Sequence, residues 1–218
     1  MPQLDMESRM MKFYSQKCSS SPLHAVQGHF ATSHSHINHY IDVTMQKSRL
    51  SEAKAVAKEL VSYYSQNTIV DTVLCLDGTE VIGACLANEL TKGDFLNMNA
   101  HQTIYVATPE HTTGSQLIFR DNIVPMIEGK HVLILAASVT TGYTVQAAAE
   151  AIGYYGGHVV GISAIFATMD ECLGHKVRAV FNPKDLEGYA SYPSHECPMC
   201  KKGEKIDALV NSFGYSKL

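Results

Sequence analysis

In the run Val132-Leu133-Ile134-Leu135-Ala136-Ala137-Ser138-Val139-Thr140-Thr141-Gly142-Tyr143-Thr144, an apolar strand pattern gives way to a hydroxyl-rich turn and then to an alanine-rich helix. That sequence of elements makes a phosphate cradle. A glycine permits the tight turn, and the amides of residues 140 to 144 open the next helix toward an anion with the positive end of the helix dipole behind them. Thr140, Thr141 and Thr144 add hydroxyl groups, and Ser138 stands just before them. No carboxylate lies between Leu135 and Thr144, so a ribose or metal held here is not held by acids of this strand. Near the C-terminus a second constellation pairs Cys172-x-x-His175 with Cys197-Pro198-Met199-Cys200. Three thiolates and one imidazole in two close pairs suit a tetrahedral structural zinc that staples the tail, with His195 as a substitute ligand. The same residues also read as a turn between strands (Cys172 to His175) and a pair of free thiols.

The elements that position these residues follow from periodicity. Ser51 to Tyr64 carries Ala53, Val56, Ala57, Leu60, Val61 and Tyr64 at helical spacing, with Ser51 as the expected N-cap. Thr68 to Leu76 reads as a strand, Val81 to Leu90 as a helix, His101 to Thr108 as a strand and Pro109 to Arg120 as a loop. Beyond it come a strand at His131 to Leu135, a helix at Thr144 to Gly153 ended by Gly156-Gly157, and strands at His158 to Ala167 and Lys176 to Phe181. Strands alternating with helices predict a parallel α/β sheet. Ligands on such sheets sit outside the carboxyl ends of the strands, which would put Asp77 to Glu80 beside Ala136 to Thr144 if their strands are neighbours. Residues 1–17 suggest a short amphipathic helix and 18–48 a polar, histidine-rich stretch. The expected division is a hood at 1–48, an α/β core at 49–182 and a tail with the Cys-x-x-Cys pair at 183–218.

Composition narrows the partners. The chain has 218 residues, a net charge of −4 and no Lys/Arg cluster beyond two or three residues, which argues against nucleic acid. The first residues lack an apolar run long enough for a signal peptide or membrane span, so a soluble, cytoplasmic protein without a membrane partner is expected. Six cysteines, with Cys18, Cys75 and Cys85 isolated, fit a reducing compartment rather than a disulfide framework.

The stretch from Val132 to Thr144 resembles the phosphoribosyl-diphosphate motif of type I phosphoribosyltransferases, a hydrophobic strand, two acids and then Thr-Thr-Gly-x-Thr. The segment with Gly28-His29-Phe30, Ser33, Ser35, Tyr40, Ile41 and Asp42 resembles the N-terminal segment of orotate phosphoribosyltransferases. Leu76-Asp77-Gly78-Thr79-Glu80-Val81-Ile82-Gly83 falls where that family has its pyrophosphate-binding loop. The three segments cover most of residues 28 to 167 in the family's order. The resemblance implies the family's fold, a parallel sheet flanked by helices with a small hood. It implies a homodimer, and a ribose 5′-phosphate held by Ser138, Thr140, Thr141, Gly142, Tyr143 and Thr144. Asp77, Gly78, Thr79 and Glu80 would form the pyrophosphate loop, and Phe30, His36 and Tyr40 would face the base.

The departures are as specific as the match. Ala136 and Ala137 stand where the family has its two acids, and if each lost charged hydrogen bond is worth roughly 1.5 to 3 kcal/mol, the pair amounts to about two to four powers of ten in rate. Asp77 or Glu80 could supply a carboxylate instead. Where the family's mobile loop carries lysines, Pro109 to Asp121 offers only His111 and Arg120 as candidate catalytic groups. His34 and His36 occupy the region where the family often has a Gly and a basic residue contacting substrate, and a histidine delivers positive charge only below about pH 6.5. Two functions follow. One is transfer of ribose 5-phosphate from phosphoribosyl diphosphate to a nitrogenous base, in nucleotide synthesis or salvage, with Mg²⁺ carried by the diphosphate. The other is a nucleotide or sugar-phosphate sensor, or regulatory subunit, that keeps the fold without turnover.

Overall fold

A computed structural model describes residues 6–15, 18, 20–92, 97–100, 103–112 and 116–218. The chain opens with a 3₁₀ turn at Met6–Arg9 and a strand β1 (Met10–Phe13), followed by β2 (Leu23–Ala31) and β3 (His36–Asp42). Then come α1 (Thr44–Ser48), α2 (Leu50–Val61), β4 (Thr72–Cys75), α3 (Glu80–Leu90) and β5 (Tyr105–Ala107). A small hairpin, β6 (Glu110–His111) and β7 (Leu117–Ile118), precedes β8 (His131–Val139), α4 (Tyr143–Tyr154) and β9 (His158–Ala167). The remainder is β10 (Glu171–Cys172), β11 (His175–Phe181), β12 (Ser191–Tyr192), α5 (Pro198–Lys201), β13 (Ala208–Asn211) and β14 (Gly214–Lys217).

Two sheets carry the architecture. The core sheet runs β10-β11-β9-β8-β4-β5, parallel except for the β10 edge, so the α/β expectation holds. Strand β8 is its centre, and its alternation divides the core. Leu133, Leu135 and Ala137 face the layer of α2 and α3, while Val132, Ile134 and Ala136 face α4. Just past α2, Tyr64 packs so close to the sheet that a Cβ on Gly161 of β9 would lie 2.7 Å from its ring, and its hydroxyl meets Ser163 Oγ at 2.8 Å. Strands β4 and β8 are paired neighbours, Cys75 opposite Leu135, which brings their carboxyl-end loops side by side.

The second sheet, β12-β3-β2-β13-β14 with β1 sharing with β13 the edge of β2 opposite β3, forms the hood. Strand β13, from the C-terminal segment, pairs parallel with β2, placing Ala208 opposite Phe30. Residues 183–218 therefore complete a sheet begun by the N-terminal segment. The expected N-terminal helix is corrected here: among the described residues, 6 to 9 make one 3₁₀ turn and 10 to 13 are extended, because Met10 to Phe13 pair with Leu23 to Val26. Ser51 is likewise not the N-cap of α2; Arg49 is, without a side-chain cap bond. Of the expected strand at 101 to 108, residues 101 and 102 lie outside the described residues and Tyr105–Ala107 is extended. Among the described residues no helix is long and apolar enough to cross a membrane.

Candidate active site

The turn after β8 opens the next helix at a left-handed glycine. Strand β8 continues through Ala136, Ala137 and Ser138 to Val139, and Gly142 then takes φ +79°, the left-handed region that costs a residue with Cβ about 1–2 kcal/mol. Gly142 is the N-cap of α4 and, having no side chain, makes no cap bond, so the first amides of the helix are not covered by their own N-cap residue. Thr168 fixes its outer side: the Thr168 hydroxyl donates to Thr140 O at 3.0 Å and its amide to Val139 O at 3.0 Å. Thr141, Tyr143 and Thr144 are exposed, and Tyr143 keeps 61% of its surface open.

This turn forms one wall of a cavity of about 230 Å³ between core and hood. Ala137, Ser138, Thr140, Thr141, Tyr143 and Thr144 line the core side, joined by Asp77 from the β4–α3 loop. Opposite stand Thr32 to Ser35, Ile37 and Tyr40 from the hood hairpin, Tyr189, and Val210 to Ser212 from the last hairpin. The 32–35 turn is tight, since Thr32 N–H and hydroxyl both donate to Ser35 O, at 2.8 and 2.9 Å, and the Ser35 amide returns to Thr32 Oγ1 at 2.9 Å. It presents His34 with its ring centroid 5.1 Å from that of Tyr143, so the hood and the turn before α4 touch across the cavity.

The β4–α3 loop stands beside the turn as its strand order requires, and its residues divide. Asp77 (φ +60°) and Gly78 (φ +80°) are both left-handed, and Asp77 lines the cavity as its one carboxylate among the described residues. Thr79 is fully buried, with its hydroxyl donating to Leu76 O (2.9 Å) and Leu135 O (3.0 Å). It ties the loop to β8 and has no hydroxyl proton left for a ligand. Glu80 is exposed at the start of α3.

Lys47 is a cation that sequence reasoning passed over. Its ammonium donates to Asp77 O at 2.9 Å and to Ser212 O at 2.5 Å, joining α1, the β4–α3 loop and the tail. Burial pulls its pKa below the ordinary lysine value, and Asp77, Asp42 and Glu80 hold part of that shift back. The signal available in sequence was a lone lysine after a polar stretch, which many solvated faces share.

The two alanines have different surroundings. Ala136 is fully buried in the layer with Val145 and Ala148 of α4, whereas Ala137, 1% exposed, forms cavity wall. A carboxylate at 136 would sit under an apolar helix, while one at 137 would border the ligand space.

Several predicted site residues are not brought to the cavity. Phe30 is fully buried in the small hood core with Val26, Ile37 and Ala208, because it alternates inward on β2. His36 faces away from the cavity, its Nδ1 3.0 Å from His29 Nε2 and 3.2 Å from Cys200 Sγ. Tyr40 does line the cavity; burial first, then Asp42 and Tyr215, push its phenol far above the ordinary value, so it stays a neutral donor. Tyr189 is likewise pushed up to about 12 by burial. Arg120 is held by Glu110 in a two-pronged pair at 2.7 and 2.6 Å on the exposed hairpin, and His111 lies on the same hairpin. Neither lines the cavity. Cys172 and His175 flank the β10–β11 turn at the core sheet's edge, where Cys172 Sγ lies 3.1 Å from the position of a Cβ on Gly142. They are not grouped with Cys197 and Cys200, whose neighbours are His29 and His36. His195 is exposed beside Glu196.

No family model matches the chain. An orotate phosphoribosyltransferase of Chlorobium phaeobacteroides is 30% identical over 187 residues, 84% of this chain and 87% of that protein. The chain belongs to the type I phosphoribosyltransferase family. An orotate phosphoribosyltransferase of Chlorobaculum parvum is 26% identical over the same length, 84% of this chain and 87% of that one. Among solved structures, the phosphoribosyltransferase fold recurs in an orotate phosphoribosyltransferase of Mycobacterium tuberculosis, with a TM-score of 0.52 and 15% identity over 75% of this chain and 91% of that one. A phosphoribosyltransferase of Corynebacterium diphtheriae gives a TM-score of 0.50 and 18% identity over 74% and 90%. Within this type I phosphoribosyltransferase, the uncapped turn before α4 is the motif that the sequence matched.

Proposed function

We propose that the protein transfers ribose 5-phosphate from phosphoribosyl diphosphate to a ring nitrogen of a planar base, with orotate as the first candidate. One observation carries the reading: the start of α4, with a left-handed Gly142 as an N-cap that has no side chain to cap it, faces a cavity roofed by the hood. The 5′-phosphate binds the amides and hydroxyls of residues 140 to 144, where the helix dipole contributes about half a positive charge. The sugar then lies along Ala137 and Ser138, and the base enters among Tyr40, Tyr189 and His34.

In the reaction the C1′–O bond to diphosphate breaks, the C1′–N bond to the base forms, and the base nitrogen loses its proton. The chain contributes chiefly by positioning: fixing the phosphate end and excluding water under the hood turns two encounters into one ordered geometry. Positive charge developing at C1′ meets the Asp77 carboxylate, the one acid on the cavity wall among the described residues. When bound with diphosphate, Mg²⁺ would supply positive charge to the leaving oxygens; with Ala136 and Ala137 on the strand and Asp77 as the one cavity-lining carboxylate among the described residues, the substrate would supply most of its ligands.

The orotate assignment rests on the names of the curated relatives and on the hood segment, and the homodimer implied by the resemblance is proposed with it. Incubation with phosphoribosyl diphosphate, Mg²⁺ and a panel of orotate, uracil, adenine and hypoxanthine should yield one nucleotide. Absence of nucleotide with every base, at micromolar enzyme and long incubation, overturns the proposal.

A further inference from the structure

The phosphate cavity leaves one cluster unused. His29 Nε2, His36 Nδ1, Cys197 Sγ and Cys200 Sγ lie within 4.8 Å of one another, outside the cavity and on the opposite side of the hood hairpin from His34. They come from three places: β2, the start of β3, and the Cys-Pro-Met-Cys turn that opens α5. Zn–N bonds of about 2.0–2.1 Å and Zn–S bonds of about 2.3 Å around a tetrahedron place ligand atoms about 3.4 Å (N to N) and about 3.6 Å (N to S) apart. The observed separations are 3.0 Å between the two nitrogens, 3.6 Å from His29 Nε2 to each sulfur, and 3.2 Å from His36 Nδ1 to Cys200 Sγ. Four soft or borderline donors already stand at coordination spacing.

The surroundings are arranged as a metal site needs. His29 Nδ1 lies 3.0 Å from Glu204 O, to which it donates, so the tautomer is set and Nε2 presents its lone pair to the cluster. The His29 amide donates to Asp207 Oδ2 at 2.8 Å, and Asp207 also receives Arg9 at 3.2 Å, so the backbone carrying the ligand is anchored from the same tail segment. Gly28 makes room for that anchor: a Cβ there would lie 2.4 Å from Asp207 Oδ2. The Cys-Pro-Met-Cys turn closes on itself, with Lys201 N–H donating to Cys197 O at 3.1 Å and Gly203 N–H to Cys200 O at 2.9 Å. A disulfide between the two cysteines would leave the imidazoles facing each other with nothing between them.

We propose that these four side chains bind one Zn²⁺ in a closed Cys₂His₂ site that fastens the C-terminal knuckle to the hood hairpin. An S₂N₂ tetrahedron selects zinc among common divalent ions, and four protein ligands leave no position for chemistry. The ion stiffens the hairpin whose other face forms the cavity roof, and that link to the cavity alone rests on the proposed function.

The test is metal content of the full chain purified without added metal or histidine tag. One zinc per chain is expected, retained by Cys172→Ser/His175→Ala and lost from Cys197→Ser/Cys200→Ser. Should the latter variant fail to fold, the wild-type chain decides: stripped by a chelator and titrated with Co²⁺, it should take one ion and show tetrahedral d–d bands with thiolate charge transfer. Less than about 0.2 zinc per chain with no uptake on titration overturns the proposal, as does octahedral cobalt without thiolate bands or zinc loss confined to the Cys172/His175 variant. Each readout is independent of transferase activity, so failure of the zinc site and failure of the enzymatic reading are separable.

Discussion

Replacing Gly142 by alanine tests the phosphate turn against plain stability. The residue sits at φ +79°, and an added Cβ would lie 3.1 Å from Cys172 Sγ, the movable end of a small side chain. Backbone strain is therefore the main cost, about 1–2 kcal/mol, which lowers Tm by roughly 2–8 °C in a chain of this size. If the turn relieves the strain by rotating, the amides of 142 to 144 leave the phosphate. Losing two hydrogen bonds to a charged group, at roughly 1.5–3 kcal/mol each, weakens ribose 5-phosphate binding by about two to four powers of ten. The control is Gly153→Ala in the last turn of α4, where a Cβ meets nothing within 4 Å and φ is not positive. It should gain about 0.5–1 kcal/mol and leave binding alone. Calorimetry with ribose 5-phosphate and with inorganic phosphate, beside thermal melts of both variants, reads the two effects separately. A Gly142→Ala protein that melts lower yet binds both ligands as tightly as wild type would refute the assignment of these amides.

Other substitutions probe the remaining walls. His34→Ala removes the ring contact with Tyr143, and at about 0.5–1.5 kcal/mol ribose 5-phosphate should bind roughly 2- to 13-fold more weakly while inorganic phosphate is unaffected; equal loss for both ligands would place His34 on the phosphate instead. Ala137→Asp puts a carboxylate on the cavity wall, and one charge-assisted hydrogen bond should raise kcat about 10-fold or more in a steady-state nucleotide assay. A folded variant with no gain would mean that Asp77 already fills that role. Asp71 binds the start of β8, accepting from the His131 amide and ring at 2.8 Å each. Burial raises the Asp71 carboxyl, but those bonds and the charges of His131 and Lys130 bring it below its ordinary 3.8. Its stabilisation is thus present above about pH 4 and lost as pH falls through the lower folded value. Asp71→Asn should cost about 1 kcal/mol at neutral pH by denaturant titration, with the gap to wild type closing in acid.

The core was legible because its elements are local. Val132 to Leu135 is an apolar run too short for a helix, and Ala148, Ala151 and Ile152 recur at helical spacing after a turn with a required glycine. Asp77 beside the phosphate turn followed from one rule about parallel sheets, once β4 and β8 were neighbours. The strands of the hood were not legible, because they break the alternation that marks a half-buried strand. His29 and His39 are buried, Gln27 is exposed beside them, and the register shifts between Gln27 and Phe30. Its closing strand comes from the other end of the chain, and nothing local to Ala208 marks Phe30 as its partner. The Cys197/Cys200 pair carried half of a metal signal. The other half was assigned to Cys172 and His175 on spacing alone, whereas the histidines that approach the sulfurs lie 168 and 164 residues away in sequence.

The parallel pairing of β13 with β2 has a consequence for the order in which the molecule comes into being. A ribosome releases β2 and β3 early and every strand of the core sheet before Ala208 appears. The turn after β8 can thus take shape during synthesis, while the sheet above it waits, with the Phe30–Ala31 end of β2 paired only to β3, for the final hairpin to emerge. A chain stopped short of that hairpin would own a cradle without a roof, and a bare strand edge is an invitation to aggregate.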